Sequence, residues 1–478
     1  YSDLVSYANA MDQLSGQEIE ENRFASFYGA LDYSLFDRYV LNVSFRTDGS
    51  NNFGSDEQFN PTWSAGAVWH VSEETFMEVV RPVLSRLSLR VATGYTGNIN
   101  KTVKPNLMMK YYKNFRISDD ENYRMGYINN APNPKLRWEK TRDVKVALDF
   151  GLWKDRINGI VEAYWRKSKD CVTSEYVPVT TGFFNQSYNT SVLQNNGVEF
   201  SLSVAVLKSK DYNLSVSANV AWNQNKLKKY NSPNTSLALD KYVGYPMGAV
   251  FSGKYEGIDP ETGMYKFKLR PDAVTNKDGY LREPNNYYYY LGTSVAPFTG
   301  GFNLNFSYKN IGLSVGGSYS VKAKMVDNIE SPAGYELLSG SKLESIPTPH
   351  NDLYRNHLNV KREVRNRWTP ENRTGVKYPR LIDAYGKKLG LDLTNPTLTT
   401  ITRGALLEDI SYLRINTIAL SYSLPQRVLE RINFSSAALN LTLNNFFTIT
   451  KYSGIDPEVP GATYPVSRSV TIGLNVGF

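Results

Sequence analysis

Cysteine, histidine and long apolar runs are what this sequence has least of. A single cysteine, Cys171, and three histidines in 478 residues leave no internal disulfide and no cysteine-based zinc site. His350 and His357 share one loop and could pair on a metal, but a solvated loop is the simpler account, and no metal site is expected. Mean hydropathy is −0.42, and no stretch of about 18 apolar residues is present, so helices crossing a membrane are excluded. A β-barrel is not, because each of its strands turns only every second residue to lipid. Charge of one sign is not concentrated either. The net +8 and pI of about 9.1 come from basic residues scattered along the chain, with no recognition helix or RNP signature, so nucleic acid is not an expected partner.

Catalytic patterns are equally scarce. There is no H-E-x-x-H and no glycine-rich phosphate loop. Gly312-Leu-Ser314-Val-Gly316 matches G-x-S-x-G, yet a nucleophile elbow needs a strand-to-helix turn, and here the serine sits inside a continuing alternation. No catalytic residue, cofactor or enzymatic activity is expected.

What is abundant is tyrosine and period-two alternation. Aromatics reach 13%, with 34 Tyr against 21 Phe; a ring with a wet tip suits strands and membrane interfaces. In 213–223, Leu214, Val216, Ala218, Val220 and Trp222 share one face, and Asn213, Ser215, Ser217, Asn219 and Asn223 the other. The segments 37–47, 302–309 and 311–320 repeat the pattern, always with a small neutral polar face led by Asn and Ser.

The connections add direction. Tight links (SLFDR, LWKDR, LKSKD, YKNIG) alternate with long loops, expected at roughly 48–61, 96–138, 169–191, 224–296, 322–405 and 449–466. A one-turn helix is predicted at SEETFME and a Pro-started helix within SLPQRVLERINFSS. Short and long connections alternate across about fourteen strands, as in outer-membrane barrels with short periplasmic turns and long extracellular loops. Tyr33, Phe36, Tyr39, Trp153, Tyr308 and Tyr422 beside the short turns fit an interfacial girdle. A soluble multi-domain β-protein has no reason to obey this rhythm.

Three features stand out in the loops and at the last strand. GIDPE occurs at 257–261 and again at 454–458; a turn is the favoured reading over a calcium site through Asp259 and Glu261. Tyr287, Tyr288, Tyr289 and Tyr290 form a run, and Trp368 lies in another loop. Their rings could stack on sugars or peptide side chains, or simply pack loop against loop. The final strand, SRSVTIGLNVGF, places Val470, Ile472, Leu474, Val476 and Phe478 on one face, an apolar strand finishing on an aromatic residue.

Several stretches together resemble the SusC/RagA-type TonB-dependent transporters of Bacteroidetes outer membranes. They include DRYVLNVSFRTDGSNNFG (37–54), FNPTWSAGAVWHVSEETFM (59–77), LSLRVATGYTGN (87–98), NNGVEFSLS (195–203) and GYPMGAVFSGKYEGIDPETG (244–263). NRWTPEN with YPR, ISYLRINTIALSYSLP, NNFFTITKYSGIDPE and the terminal SVTIGLNVGF complete the set, in family order from residue 24 onward. The resemblance implies an all-β transmembrane antiparallel barrel of about 22 strands around an N-terminal plug. It also implies a TonB box, a SusD-like surface lipoprotein acting as lid, and a possible dimer of transporter–lipoprotein pairs in a Gram-negative outer membrane. Thr471, Gly473, Val476 and Phe478 resemble the terminal signal that delivers barrel strands to their insertion machinery.

The sequence opens on YSDLVSYANA, with no readable plug, TonB box or signal peptide. The expectation is therefore that residues 1–478 are the C-terminal part of the barrel, completed by an N-terminal segment outside this chain, because an open sheet edge in lipid leaves backbone groups unpaired at several kcal/mol each. The expected function is energised import of oligosaccharides or peptides with outer-membrane lipid around the wall; a passive porin or a surface adhesin is the alternative.

Overall fold

The computed structural model describes residues 22–98, 108–118, 121–183, 185–230, 242–261, 265–273, 286–326, 365–378, 403–460 and 464–478, with a few isolated positions between them. His350 and His357 lie outside the described residues.

One antiparallel sheet of thirteen strands dominates. Its first four are β1 (Phe24–Leu35), β2 (Tyr39–Ser50), β3 (Phe59–His70) and β4 (Leu84–Asn98). Then come β5 (Glu139–Leu152), β6 (Ile157–Tyr176), β7 (Asn185–Lys208) and β8 (Tyr212–Lys229). The sheet closes its run with β9 (Phe298–Tyr308), β10 (Ile311–Val321), β11 (Tyr412–Ser423), β12 (Ser436–Thr450) and β13 (Ser469–Gly477). Every neighbour in space is the next of these strands in sequence, so the sheet is a pure meander with β1 and β13 at its edges. Against about fourteen expected strands, thirteen share the sheet; the remaining strand-forming sequence folds into small two-stranded ladders inside the long loops, such as Ala249–Gly253 with Tyr288–Thr293.

The alternation sets which way each side chain points. Leu31 pairs with Val43, Leu41 with Ala67, and Leu439 with Leu474, so the apolar residues line up across strands on one face. That face is bare: Leu31, Phe45, Leu148, Leu420, Ile472 and Leu474 are all exposed. Contiguous apolar area on this scale is not tolerated in water and marks a lipid-facing wall. Conversely, the described residues show no ordinary core. The buried cluster among them is Ala323, Ile410 and Tyr452 with Ala296 and Met325 packed against it, all at the long-loop rim.

The opposite rim is built from tight turns. Phe36 and Asp37 both take left-handed φ values, 53° and 55°, the signature of a two-residue turn whose twist matches the flanking strands. Trp153, Lys154 and Asp155 are likewise left-handed, and the third is held by a reciprocal pair of bonds between Asp155 and the Ser85 hydroxyl, at 3.0 and 3.1 Å. The predicted girdle sits here: Tyr33, Phe36, Tyr39, Trp153, Tyr308 and Tyr422 are all exposed.

Two links differ from expectation in detail. SEETFME forms two 3-10 turns, Val71–Glu73 and Thr75–Met77, because Glu74 between them turns extended and is drawn to the wall. Its carboxylate accepts from the Tyr39 hydroxyl at 2.5 Å, the Trp69 indole at 3.1 Å and Arg38 at 3.3 Å. Those hydrogen bonds, the Tyr39 one foremost, hold Glu74 below the usual carboxylate range. The second link forms the short helix Gln426–Arg431 with Pro425 as its cap rather than its first residue. Where a loop was expected over 169–191, β6 and β7 run on and leave only 177–184 between them. Polar side chains there continue the ladder, with Thr173 and Thr190 hydroxyls 2.8 Å apart.

Candidate functional site

The polar face of the wall divides into two sectors. From β4 to β7 it is charged: Arg90 pairs with Asp149 at 2.6 Å, Arg166 with Asp143 at 2.7 Å and Lys145 with Glu162 at 3.2 Å. Glu199 stands directly across from Glu162 in register. From β8 onward the same face turns neutral. Asn213, Ser215, Asn305, Ser314, Ser421 and Asn440 line a recess of about 400 Å³. Ser314 donates to Asn305 at 2.9 Å, Thr417 to Asn444 at 3.1 Å, and Asn444 to Ser469 at 3.0 Å. Such amides and hydroxyls carry spare donors and acceptors, so this sector can hydrogen-bond a passing polar solute without selecting its charge. Ser314 is thus one rung of this ladder, in mid-strand in β10, rather than a nucleophile on an elbow.

A bulge links this wall to the loops above it. Ile415 faces Phe447 and Thr417 faces Asn444, leaving Asn416 against Asn445 and Phe446, with Asn445 left-handed at φ 58°. On β11 the bulge shifts the alternation by one. Leu413 and Ile415 sit outward above it, and Ile418, Leu420 and Tyr422 outward below it, so Arg414 points inward. Arg414 is 2% exposed and meets Asp456 at 2.5 Å and Glu458 at 2.9 Å.

Asp456 belongs to the second GIDPE. Its carboxylate also accepts the backbone N–H of Glu458 and of Val466, each at 3.0 Å. Burial pushes its pKa up, but these two bonds and the Arg414 guanidinium outweigh burial and leave it below its ordinary 3.8. The first GIDPE makes the same local turn, Asp259 accepting from the Glu261 N–H at 2.8 Å. Its partner is different: the Trp368 indole donates to the Pro260 carbonyl at 2.9 Å. One turn motif is used twice, once against an arginine of the wall and once against a tryptophan of a neighbouring loop.

Of the loop aromatics, Trp368 is buried, with its backbone N–H on Tyr378 at 2.9 Å. Tyr288, Tyr289 and Tyr290 form a strand against Phe251, Ser252 and Gly253, and the Tyr289 hydroxyl donates to the Leu269 carbonyl at 2.9 Å. Tyr287, half-buried, precedes them. Tyr290 is the most exposed of the run. Its ring lies 4.9 Å from that of Tyr245 and 5.7 Å from Phe251. With Trp222, Asn225 and Lys226 it borders a cavity of about 300 Å³ at the long-loop rim. Burial, with Tyr245 adding, raises the Tyr290 phenol above its ordinary 10.0, so it stays a neutral hydrogen-bonding group at physiological pH.

The sequence reading did not single out Tyr245, Arg414 or the stack of Phe53 on Trp138, whose rings are 4.6 Å apart. A lone arginine in the apolar run SYLRINTIAL and the repeated GIDPE were the available signals. At the other end, Thr471 pairs with Thr442, Gly473 with Asn440 and Val476 with Ala437, while the Phe478 ring meets Phe434 edge-on at 5.1 Å.

Comparison with known proteins agrees with this architecture. A family profile described as TonB dependent receptor-like, beta-barrel, matches residues 1–337. The TonB-dependent receptor SusC of Bacteroides thetaiotaomicron is 27% identical over 488 residues, covering 96% of this chain and 44% of that protein. TonB-dependent receptor P26 of Formosa agariphila is 26% identical over 498 residues, covering 95% and 46% respectively. Among solved structures, the RagAB peptide transporter superimposes with a TM-score of 0.76 at 26% identity, over 96% of this chain and 48% of that one. The chain thus spans a little under half the length of each relative. It belongs to the TonB-dependent receptor-like β-barrel family and forms part of the wall of a Gram-negative outer-membrane barrel.

Proposed function

We propose that this wall serves TonB-dependent import of oligosaccharides or peptides, with a SusD-like surface lipoprotein as lid and with the plug and TonB contacts on segments beyond these residues. The observation that carries the reading is the Asn/Ser/Thr sector of β8 to β13, which below the Arg414–Asp456 pair at the long-loop end presents amides and hydroxyls on the side opposite the lipid-facing face. A solute rich in hydroxyls or amides exchanges hydrogen bonds along such a surface at little net cost, since each bond broken is replaced by a similar one. The long-loop rim faces outside, where Tyr290 and Tyr245 offer ring faces to a captured ligand. Strands beyond β1 and β13 close the barrel, so that no edge is left in lipid.

The experiment is uptake by cells carrying the complete protein, its TonB-uncoupled form, or none. Import of a fluorescent oligosaccharide or oligopeptide that requires both the protein and TonB supports the proposal; uptake that persists without TonB makes the protein a passive pore. Mild-detergent purification adds a second readout, in which a surface lipoprotein is expected to accompany the barrel.

A further inference from the structure

The short-turn rim is electrically uneven, and the unevenness follows the strands. The turn between β5 and β6 carries Lys154 and Arg156, and the turn between β7 and β8 carries Lys208 and Lys210. The β9–β10 turn adds Lys309, and the link after β11 adds Arg427 and Arg431. All seven are exposed, none makes an ion pair with a described residue, and Asp155, Asp211 and Glu430 are the only acids among them, leaving a net +4. The links at 36–38 and 71–83 are the reverse. Arg38 and Arg81 are there tied to Glu74 and Glu73, and with Asp37 and Glu78 the net is −2.

The basic turns form a continuous band. Arg156 accepts from the Ala205 N–H at 2.7 Å, Lys309 donates its N–H to Asp211 at 2.6 Å, and Asn310 accepts from Ser423 at 2.8 Å. Each turn therefore abuts the next hairpin. Turns two strands apart lie about 10 Å from each other, close to the screening length of about 8 Å at physiological salt, so their fields add. The band also lies beside exposed rings on the lipid-facing side: Trp153, Tyr212, Tyr308 and Tyr422. The Lys309 ammonium sits 5.3 Å from the centroid of the Tyr308 ring, which directs that charge toward lipid rather than into the barrel.

We propose that the short-turn rim from β5 to β12 is a binding band for acidic phospholipid headgroups, and that the rim from β1 to β4 is not. Aromatic rings at headgroup level with unpaired cations beside them suit an anionic phosphodiester: the ring is held at the interface and the cation meets the phosphate. Long lysine and arginine stems reach from the turn to that depth. The proposal uses the import reading only to identify the leaflet, as the periplasmic one.

The test reconstitutes the complete barrel protein in nanodiscs of phosphatidylcholine with a minority of phosphatidylglycerol. Native mass spectrometry then reads the ratio of the two lipids retained by the barrel. One lysine beside an anionic surface is worth about fivefold in local lipid preference. An enrichment of at least that size is expected, falling toward the bulk ratio in the Lys208→Gln/Lys210→Gln/Lys309→Gln variant. The same fall is expected for the unaltered protein at about 1 M salt, where the screening length is about 3 Å. A bulk-like ratio in the unaltered protein, or one the triple variant leaves unchanged, overturns the proposal. So does an equal fall in the Arg81→Gln variant, which would place the site on the other sector. Displacement of the retained lipid by millimolar inorganic phosphate at constant ionic strength would indicate a free-anion site and also overturn it. Because uptake is measured separately, lost import with intact lipid enrichment counts against the transport reading alone.

Discussion

Replacing Arg414 by methionine tests whether the loop above the wall is held by charge. The guanidinium is the counter-ion of Asp456, which is itself nearly buried, with a side-chain exposure of 6%. Removing one member of a buried pair typically costs about 3–5 kcal/mol, because the other charge is left uncompensated. Asp456 keeps its bonds from the Glu458 and Val466 N–H groups, so the low end, about 3 kcal/mol, is expected here. The strand ladders on either side are untouched, so the loss falls on the loop. Hydrogen exchange at the Glu458 and Val466 amides should accelerate about a hundredfold, at 1.36 kcal/mol per factor of ten. Peptides from β11 and β12 should exchange as before. Combining Arg414→Met with Asp456→Asn should restore part of the protection, since no charge is stranded and the amide oxygen still accepts one of the two backbone N–H groups, while its NH2 faces the other. Unchanged exchange over 451–466 in the single variant, or a double variant no better than the single, would refute the account.

Four further outcomes are expected. Acidification should release the same loop: the Asp456 pKa is lowered on folding, so its contribution is complete above 3.8 and is lost as pH falls from there through the depressed folded value; exchange of the 451–466 peptides between pH 5 and pH 2 reads this. Asp37→Gly should stabilise the refolded barrel by about 1 kcal/mol, read as a raised denaturant midpoint, because glycine adopts the left-handed turn without the side-chain clash. Gly54→Val should separate Phe53 from Trp138 and raise proteolysis of that loop, since a Cβ at Gly54 would lie 1.8 Å from the Pro134 carbonyl oxygen. Tyr290→Ala should weaken ligand capture by about 0.5–1.5 kcal/mol, the worth of one aromatic contact, in tryptophan-quenching titrations, with Tyr289→Phe as a variant that retains its ring.

The wall was legible in the sequence because both of its determinants are local. Leu214 to Trp222 alternate with Asn and Ser over one stretch of chain, and tight turns such as SLFDR announce themselves as short charged breaks between two alternating runs. The girdle residues Tyr33 and Tyr308 could be placed from their distance to those turns alone. The loops resisted the same reading because their partners are distant. Nothing in GIDPE distinguishes the copy that meets Arg414, forty-two residues away, from the copy that meets Trp368. Nor does the alternation of β11 reveal the bulge at Asn416: counted back from Tyr422, Leu420 and Ile418, residue 414 falls on the lipid side. Likewise the tyrosine run alone did not divide rings that pack loop against loop from rings open to a ligand, whereas the pairing of Tyr288–Thr293 with Ala249–Gly253 commits Tyr289 to the loop interior and leaves Tyr290 at the cavity. The extension of β6 and β7 into the expected loop was hidden because threonine, serine and asparagine ladders read as turn residues until their partners are known.

The bulge has a consequence for how the wall is built. Strands enter a membrane barrel one hairpin at a time, and a neutral strand can slip by a residue with little to correct it. β11 cannot. Any register that loses the bulge turns Arg414 outward, and an arginine on the lipid face of a barrel costs about 2–4 kcal/mol at the bilayer midplane and less toward the interfaces. It would also leave Asp456 without its partner. The arginine therefore marks correct insertion of its own strand: a misregistered hairpin is recognisable by a charge in lipid before the loop above has folded.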